Sequence, residues 1–282
     1  MTTDKQLLKS RFSARLRDYD SLAVVQDAIC GQLAEMTGRN CTRPVDSALE
    51  IGSGTGFLTR RMLELYPHAL WTINDLVEQS ADFLEPYAAG HDVRYLWGDA
   101  ETIALPDRLD LIASASAVQW FDDLPRFARK AGNLLETEGY IVLSTFGPEN
   151  FREIKAVTDE GLDYYTREQL QELFESAGFL TLETLEYTRS LAFDTPLDVL
   201  RHIRATGVNS IRHARWTKRE LSDFETRYRN GFRNAEGQVT LTYHPVLLIA
   251  EKLCAGRFSQ RPARPPPGDR SRRLRPPVKI HK

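Results

Sequence analysis

The stretch Ser47–Met62, SALEIGSGTGFLTRRM, sets three alternating glycines directly behind a short apolar run and ahead of a helical pattern. No other feature constrains the fold as strongly. Glycine accepts positive φ and lets a ligand approach the backbone. A strand, a glycine turn and a helix open a βαβ unit, and open α/β sheets bind ligands in the crevice beyond their strand ends. A dinucleotide fingerprint needs G-x-G-x-x-G. Here Gly52, Gly54 and Gly56 place the third glycine one position early, with Glu50 two residues before the first. The spacing disfavours a nicotinamide dehydrogenase and leaves two readings, a different nucleotide-type site or a tight structural turn.

The flanking pattern is that of an α/β protein. DSALEIG, ALWTIND, VRYLWGD, LDLIASAS and GYIVLST read as strands, and the segments between the first three and between the last two read as helices. Alternation of this kind predicts a doubly wound parallel sheet. Residues 1–40 read as a continuous N-terminal helical cap and 41–194 as the core, ending in the alternating stretch TLETLEYTRSLAF. Residues 195–235 carry two further helical patterns, and 236–255 return to one strand, QVTLTYHPVLLIAEK. The insert of about forty-five residues between the last two strands reads as a lid over the sheet edge or over a ligand crevice.

Composition narrows the class. The chain has 282 residues, 41% of them hydrophobic, enough for a substantial core. It has no eighteen-residue apolar run, so no membrane span is expected, and its first twenty residues lack the apolar stretch of a secretory signal. Three widely spaced cysteines, Cys30, Cys41 and Cys254, form no metal motif and no disulfide frame, which points to a reducing, cytoplasmic setting. The net charge of −2 conceals a tail, residues 256–282, with nine Lys/Arg against one Asp and six of the fourteen prolines. That tail is expected to be disordered, either as an inert extension or as a basic arm.

Two acids follow the glycine turn. The second strand ends in Asn74-Asp75 and the third in Gly98-Asp99-Ala100. A carboxylate at the first position can accept from both hydroxyls of a ribose, and one at the second can accept from an adenine amino group. Together they outline an adenosine. With LEIGSGTG, Asp75 and GDAE at 98–101, residues 45–146 resemble the class I S-adenosylmethionine-dependent methyltransferases. The resemblance implies a Rossmann-like sheet of seven strands, mostly parallel, with the last reversed. It also implies that Glu50, Gly52, Gly54 and Gly56 hold the methionine end of the cofactor, Asp75 the ribose, and Asp99 with Ala100 the adenine. Ser53, Leu76 and Ser114 complete the cofactor set that the resemblance implies.

A narrower likeness surrounds that core. FSARLRDYDSLAVVQ (12–26), SASAVQWFDDLPRF (114–127), DVLRHIRATGVN (198–209) and LTYHPVLLIAEK (241–252) are similar to the malonyl-acyl-carrier-protein O-methyltransferases of biotin synthesis. Ser53 stands where that family often has Cys. The likeness implies methyl esterification of a malonyl group carried on acyl carrier protein. Such a reaction needs no base, because a carboxylate is already ionised at neutral pH. It needs positioning and loss of water. Tyr19 and Trp120 are the candidate catalytic side chains, set to close over the methyl donor; core packing is the alternative for Trp120. Arg201 and Arg204 are candidate carboxylate clamps, or solvated helix residues. Tyr243 and His244 are candidate substrate contacts, or a structural pair. Residues 189–233 carry a net +5, a docking face for an acidic carrier protein, and no motif that reads RNA or DNA accompanies it. Two rival readings stay open, a methyltransferase for a small free acid such as trans-aconitate and a non-catalytic cofactor-binding protein.

Overall fold

The computed structural model describes residues 4–206 and 216–254. The expected tail at 256–282, and Arg212 and Arg215 of the expected docking face, lie outside the described residues. No helix among the described residues is long and apolar enough to cross a membrane.

The chain opens with three helices rather than one: α1 (Lys5–Ser13), α2 (Leu16–Leu22) and α3 (Val24–Asn40). The Asp4 carboxylate caps α1, accepting from the Leu7 N–H at 2.9 Å. The ladder breaks at Ala14 and Arg15 and again at Ala23, whose φ of −88° and ψ of 42° leave the helical region. Neither break carries Gly or Pro, so the apolar spacing runs across both. The bends bring Leu8 and Leu16 over the end of the sheet, while α3 buries Ile29, Leu33 and Met36.

The alternation that follows builds the core. β1 (Ser47–Ile51), α4 (Phe57–Leu65), β2 (Leu70–Asp75), α5 (Ala81–Ala88), β3 (Val93–Trp97), β4 (Leu109–Ala115), α6 (Leu124–Leu134) and β5 (Leu135–Phe146) come in that order, then α7 (Arg152–Thr158), α8 (Arg167–Ser176) and β6 (Phe179–Glu186). After the insert comes β9 (Pro245–Lys252), and the seven-stranded sheet has the order β3-β2-β1-β4-β5-β9-β6. β9 runs antiparallel to both its neighbours, and the other adjacent pairs are parallel. The doubly wound, mostly parallel seven-stranded sheet expected from the sequence is therefore the one observed. Its central strands are buried on both faces, as parallel strands must be. One face packs Leu33, Met62 and Trp71, the other Ile112, Phe127 and Phe174. The strand order reverses between β1 and β4, which opens a crevice at their carboxyl ends.

The insert is more than two helices. β7 (Arg189–Phe193) and β8 (Val239–Tyr243) form a separate antiparallel ribbon, and α9 (Pro196–Ala205) and α10 (Lys218–Gly231) lie between them in the chain. The two stretches read as single strands are thus each divided, at 187–188 and at His244. Alternation persists through both divisions while the pairing partner changes, which period-two patterning cannot reveal. Ribbon and helices share a third core of Phe146, Phe151, Val199, Phe224 and Tyr243.

Glu153 joins this unit to the sheet. Its side chain is 1% exposed, and it accepts from the Thr242 N–H at 3.0 Å and the Thr242 hydroxyl at 2.5 Å. Glu153→Ala is expected to lower the unfolding free energy by about 2–3 kcal/mol, because it strands a buried backbone donor. Glu153→Gln should cost less, since its amide oxygen still accepts. Denaturant unfolding of both variants checks the order.

Candidate active site

Three backbone turns meet at the crevice, and β2 ties them together. The Asn74 carbonyl accepts from the N–H groups of Gly52 (2.8 Å) and Ser53 (3.2 Å). Its side-chain amide donates to the carbonyls of Leu96 (2.7 Å) and Gly98 (3.0 Å). The Asp75 carboxylate accepts from Gly54 N–H at 2.8 Å and from Val77 N–H at 2.7 Å. Burial pushes the Asp75 carboxyl up, and these backbone donors pull it back. Gly52 sits at φ 74°, where an added Cβ would lie 2.4 Å from the Ala117 Cβ. Gly54, at φ 55°, faces open space. The first glycine thus admits close packing and the second keeps the turn open toward the crevice.

Above the turns lies a cavity of about 1070 Å³, part of it open to solvent. Asp75, Leu76, Asp99 and Ala100 line it from the strand ends, and Ser116, Ala117, Trp120 and Phe121 from the loop after β4. The helical cap covers it. Lys5 Nζ donates to Glu101 Oε2 and to the Trp120 carbonyl, each at 2.8 Å, and stands 3.8 Å from Asp99 Oδ1. It fastens α1 across the loops after β3 and β4. Phe12 meets Trp120 edge-to-face with centroids 6.2 Å apart, and Tyr19 lies 5.9 Å from Phe57.

The cavity is ringed by buried polar atoms without partners. Both carboxylate oxygens of Glu50, both amide atoms of Gln26, and the hydroxyls of Ser53, Thr55 and Ser116 make no hydrogen bond among the described residues. Buried groups of this kind are normally satisfied. Their concentration around one cavity fits a polar ligand that supplies the missing partners. Glu50 is the costliest of them: it is 1% exposed, and burial raises its pKa from 4.5 to about 8. The nearby Thr59 hydroxyl offsets part of that rise without reaching hydrogen-bond geometry.

Tyr19, Trp120, Gly52, Ser53, Gly54, Asp75, Leu76, Asp99 and Ala100 all line the cavity. Glu50 lies beneath the turn at the end of β1, and Gly56 is the N-cap of α4. Ser114 is placed differently from the expectation: it is absent from the lining, and its hydroxyl donates to the Ile51 carbonyl at 2.9 Å. The four expected substrate contacts also lie off the cavity. Arg201 pairs with Asp198 at 2.6 Å and is 74% exposed, and Arg204 is exposed too. The reason is local, since Val199 and Ile203 bury the opposite face of α9. Tyr243 is fully buried, its hydroxyl 2.7 Å from His202 Nε2. His244 Nδ1 accepts from Glu149 N–H at 3.1 Å, and its Nε2 lies 3.4 Å from Glu186.

Sequence reasoning missed Lys5, Gln26, Cys30 and Ser116, all of which line the cavity. A signal existed for Gln26. It falls on the same helical stripe as Cys30 and Leu33, so a polar side chain interrupts a buried apolar face.

Glu50 yields a pH prediction. A carboxyl whose pKa is raised by folding binds a proton that the unfolded chain releases, so stability falls as pH rises from 4.5 to about 8. Glu50→Gln should therefore gain about 3–5 kcal/mol relative to the parent between pH 4.5 and pH 8. Thermal unfolding of the ligand-free protein at the two pH values measures it.

Residues 49–143 match the family model described as Methyltransferase domain. The malonyl-[acyl-carrier protein] O-methyltransferase of Bacteroides thetaiotaomicron is 36% identical over 260 residues, covering 88% of this chain and 98% of its own. That of Chlorobium luteolum is 38% identical over 259 residues, covering 90% and 98%. A crystal structure from Bacillus halodurans C-125 shares the fold with a TM-score of 0.60 at 17% identity, over 79% of this chain and all of its own. With likeness of this degree along nearly its whole described length, the chain belongs to the malonyl-[acyl-carrier protein] O-methyltransferase family.

Proposed function

We propose that the protein transfers a methyl group from S-adenosylmethionine to the free carboxylate of a malonyl group on acyl carrier protein, giving the ester that primes the pimeloyl chain of biotin. The cavity carries this reading. Carboxylates stand at its nucleoside end, unpaired polar groups surround its glycine turn, and a largely apolar helical cap covers it. Relatives that bear this name and align along nearly their whole length support the choice of acceptor.

The residues present fit the cofactor. The Asp75 oxygens accept the N–H groups of Gly54 and Val77, with Leu76 N–H and the Ser53 hydroxyl close by, and the two carboxylate oxygens retain lone-pair capacity for a ribose hydroxyl. Asp99 and Ala100 border the adenine position, and Glu50, with Gly52, Ser53 and Gly54, the methionine end. When bound, S-adenosylmethionine supplies a methyl group on a sulfonium sulfur. Tyr19, Phe12 and Trp120 keep water from the reacting centre. No residue has to remove a proton, because the acceptor is ionised at neutral pH. Positive and negative charge cancel during the transfer, so a dry, weakly polar enclosure favours the transition state over the separated ions.

On this reading Arg201 and Arg204 belong to a docking face rather than to a clamp. With Lys218 and Arg219 they are exposed on the insert, where positive charge attracts an acidic carrier protein at long range. Labelled S-adenosylmethionine, offered with malonyl-loaded carrier protein, a small malonyl thioester and free di- and tricarboxylic acids, tests the acceptor class. Raising salt should slow the carrier reaction more than the thioester reaction, because screening sets in over about 10 Å at 0.1 M. The triple change Arg201→Glu, Arg204→Glu and Arg219→Glu should reproduce that slowing at low salt and leave the thioester rate unchanged. The tail is the same in both proteins, so the difference belongs to the insert. Equal salt sensitivity for both substrates, or turnover of a free acid alone, would overturn the carrier reading.

A further inference from the structure

The cavity has one cationic side chain among the described residues that line it, Lys5, and it stands at the nucleoside end. Its ammonium already donates to Glu101 and to the Trp120 carbonyl. Nothing cationic among those residues meets a carboxylate at the other end. What stands there is Gln26. It lies on α3, is 3% exposed, lines the cavity, and makes no hydrogen bond from either amide atom. It lies on the side of the cavity toward the insert, near enough to the Tyr243 hydroxyl of β8 to influence it, but without reaching hydrogen-bond geometry. One helical turn on is Cys30, which faces the β1 end that carries Glu50. Tyr19 bridges the two ends, within electrostatic reach of Asp75, Cys30 and Tyr243.

Resting on the function proposed above, we propose that Gln26 is the substrate-carboxylate donor: its side-chain N–H₂ holds one oxygen of the malonyl carboxylate and leaves the other free to take the methyl group.

A neutral donor suits this chemistry better than an arginine. A guanidinium paired to both oxygens stabilises the ionised acid and lowers its basicity. That favours the bound ion over a transition state in which its charge is being lost. A carboxamide fixes orientation while withdrawing far less charge. The step balances without any proton transfer. The sulfur–methyl bond breaks with its electron pair going to sulfur, an oxygen lone pair forms the new carbon–oxygen bond, and a sulfonium and a carboxylate become a thioether and an ester. The unpaired amide also explains why an otherwise apolar helical stripe tolerates glutamine. Leaving it unpaired weakens the free protein, and the acceptor supplies the partner.

Three variants separate this role from a structural one and from a cofactor contact. Gln26→Leu keeps the size and removes two stranded polar atoms, so it should fold with an equal or higher Tm. Its kcat/KM for malonyl-loaded carrier protein should fall about tenfold to a hundredfold, the size of one lost hydrogen bond to a charged group. Its affinity for S-adenosylhomocysteine, read by calorimetry, should stay within about threefold of wild type. Gln26→Asn should retain more activity than the Leu variant. Gln26→Glu places like charge beside the acceptor and should be the weakest variant at pH 8. It should regain activity as pH falls and its buried carboxyl takes up a proton and becomes a donor, whereas wild type shows no such rise. Unchanged turnover in Gln26→Leu, or a loss of S-adenosylhomocysteine affinity parallel to the loss of turnover, overturns the assignment. A wild-type protein that methylates no malonyl thioester overturns the functional reading itself, and this assignment with it.

Discussion

The Asp75 carboxylate holds the site together. By accepting the N–H of Gly54 with one oxygen and that of Val77 with the other, it locks the turn after β1 to the turn after β2. Asn74, one residue earlier, adds the turn after β3. The cavity floor is therefore a hydrogen-bonded sheet of backbone rather than three independent loops. Positive φ at Gly52 and Gly54 is what lets the N–H groups point inward. Asp99 and Ala100, which line the same cavity, follow directly on the third turn. Because the Asp75 carboxylate is itself structural, its removal would free the turns as well as alter the cavity wall.

Rigid turns below and a covering cap above shield the inner wall of the cavity, and that shielding makes its buried unpaired groups costly. Glu50, Gln26, Ser53, Thr55 and Ser116 are each tolerable alone, but as a set they represent stability forgone around one chamber. The cap that imposes this cost is fastened by Lys5, whose two acceptors, Glu101 and the Trp120 carbonyl, sit on two separate strand-end loops, with Asp99 a more distant ion-pair neighbour. Enclosure is what the reaction requires, because methylation of a carboxylate removes charge and gains from the absence of water. The same physical feature thus weakens the free protein and favours the chemistry.

The parts that were legible in the sequence are those set by local backbone demands. The glycine turn, Asp75 and Asp99 were readable because strand ends in an open α/β sheet converge on one crevice, whatever the rest of the chain does. The insert was only half readable. Its helices carry clear 3.6-residue spacing, but the β6–β7 and β8–β9 divisions keep alternating through the change of partner. The candidate arginines lie off the cavity for a related reason. Charge and position on a helix suggested a clamp, but Val199 and Ile203 decide which face of α9 is buried, and they turn Arg201 and Arg204 to solvent. Gln26 was the converse case, a polar residue in an apolar stripe whose meaning depended on the cavity that α3 helps to build.

The central claim is that ligand binding relieves the unpaired groups around the turn, Glu50 first among them. Proton counting by calorimetry tests it directly: S-adenosylhomocysteine is titrated at pH 7 in buffers of different ionisation enthalpy, with wild type beside Glu50→Gln. A carboxyl near pKa 8 in the free protein is mostly protonated at that pH, and pairing with the ligand's ammonium returns it to the carboxylate. The account predicts release of most of one proton by wild type and none attributable to this position in the variant. Binding with the same proton balance in both proteins would contradict it.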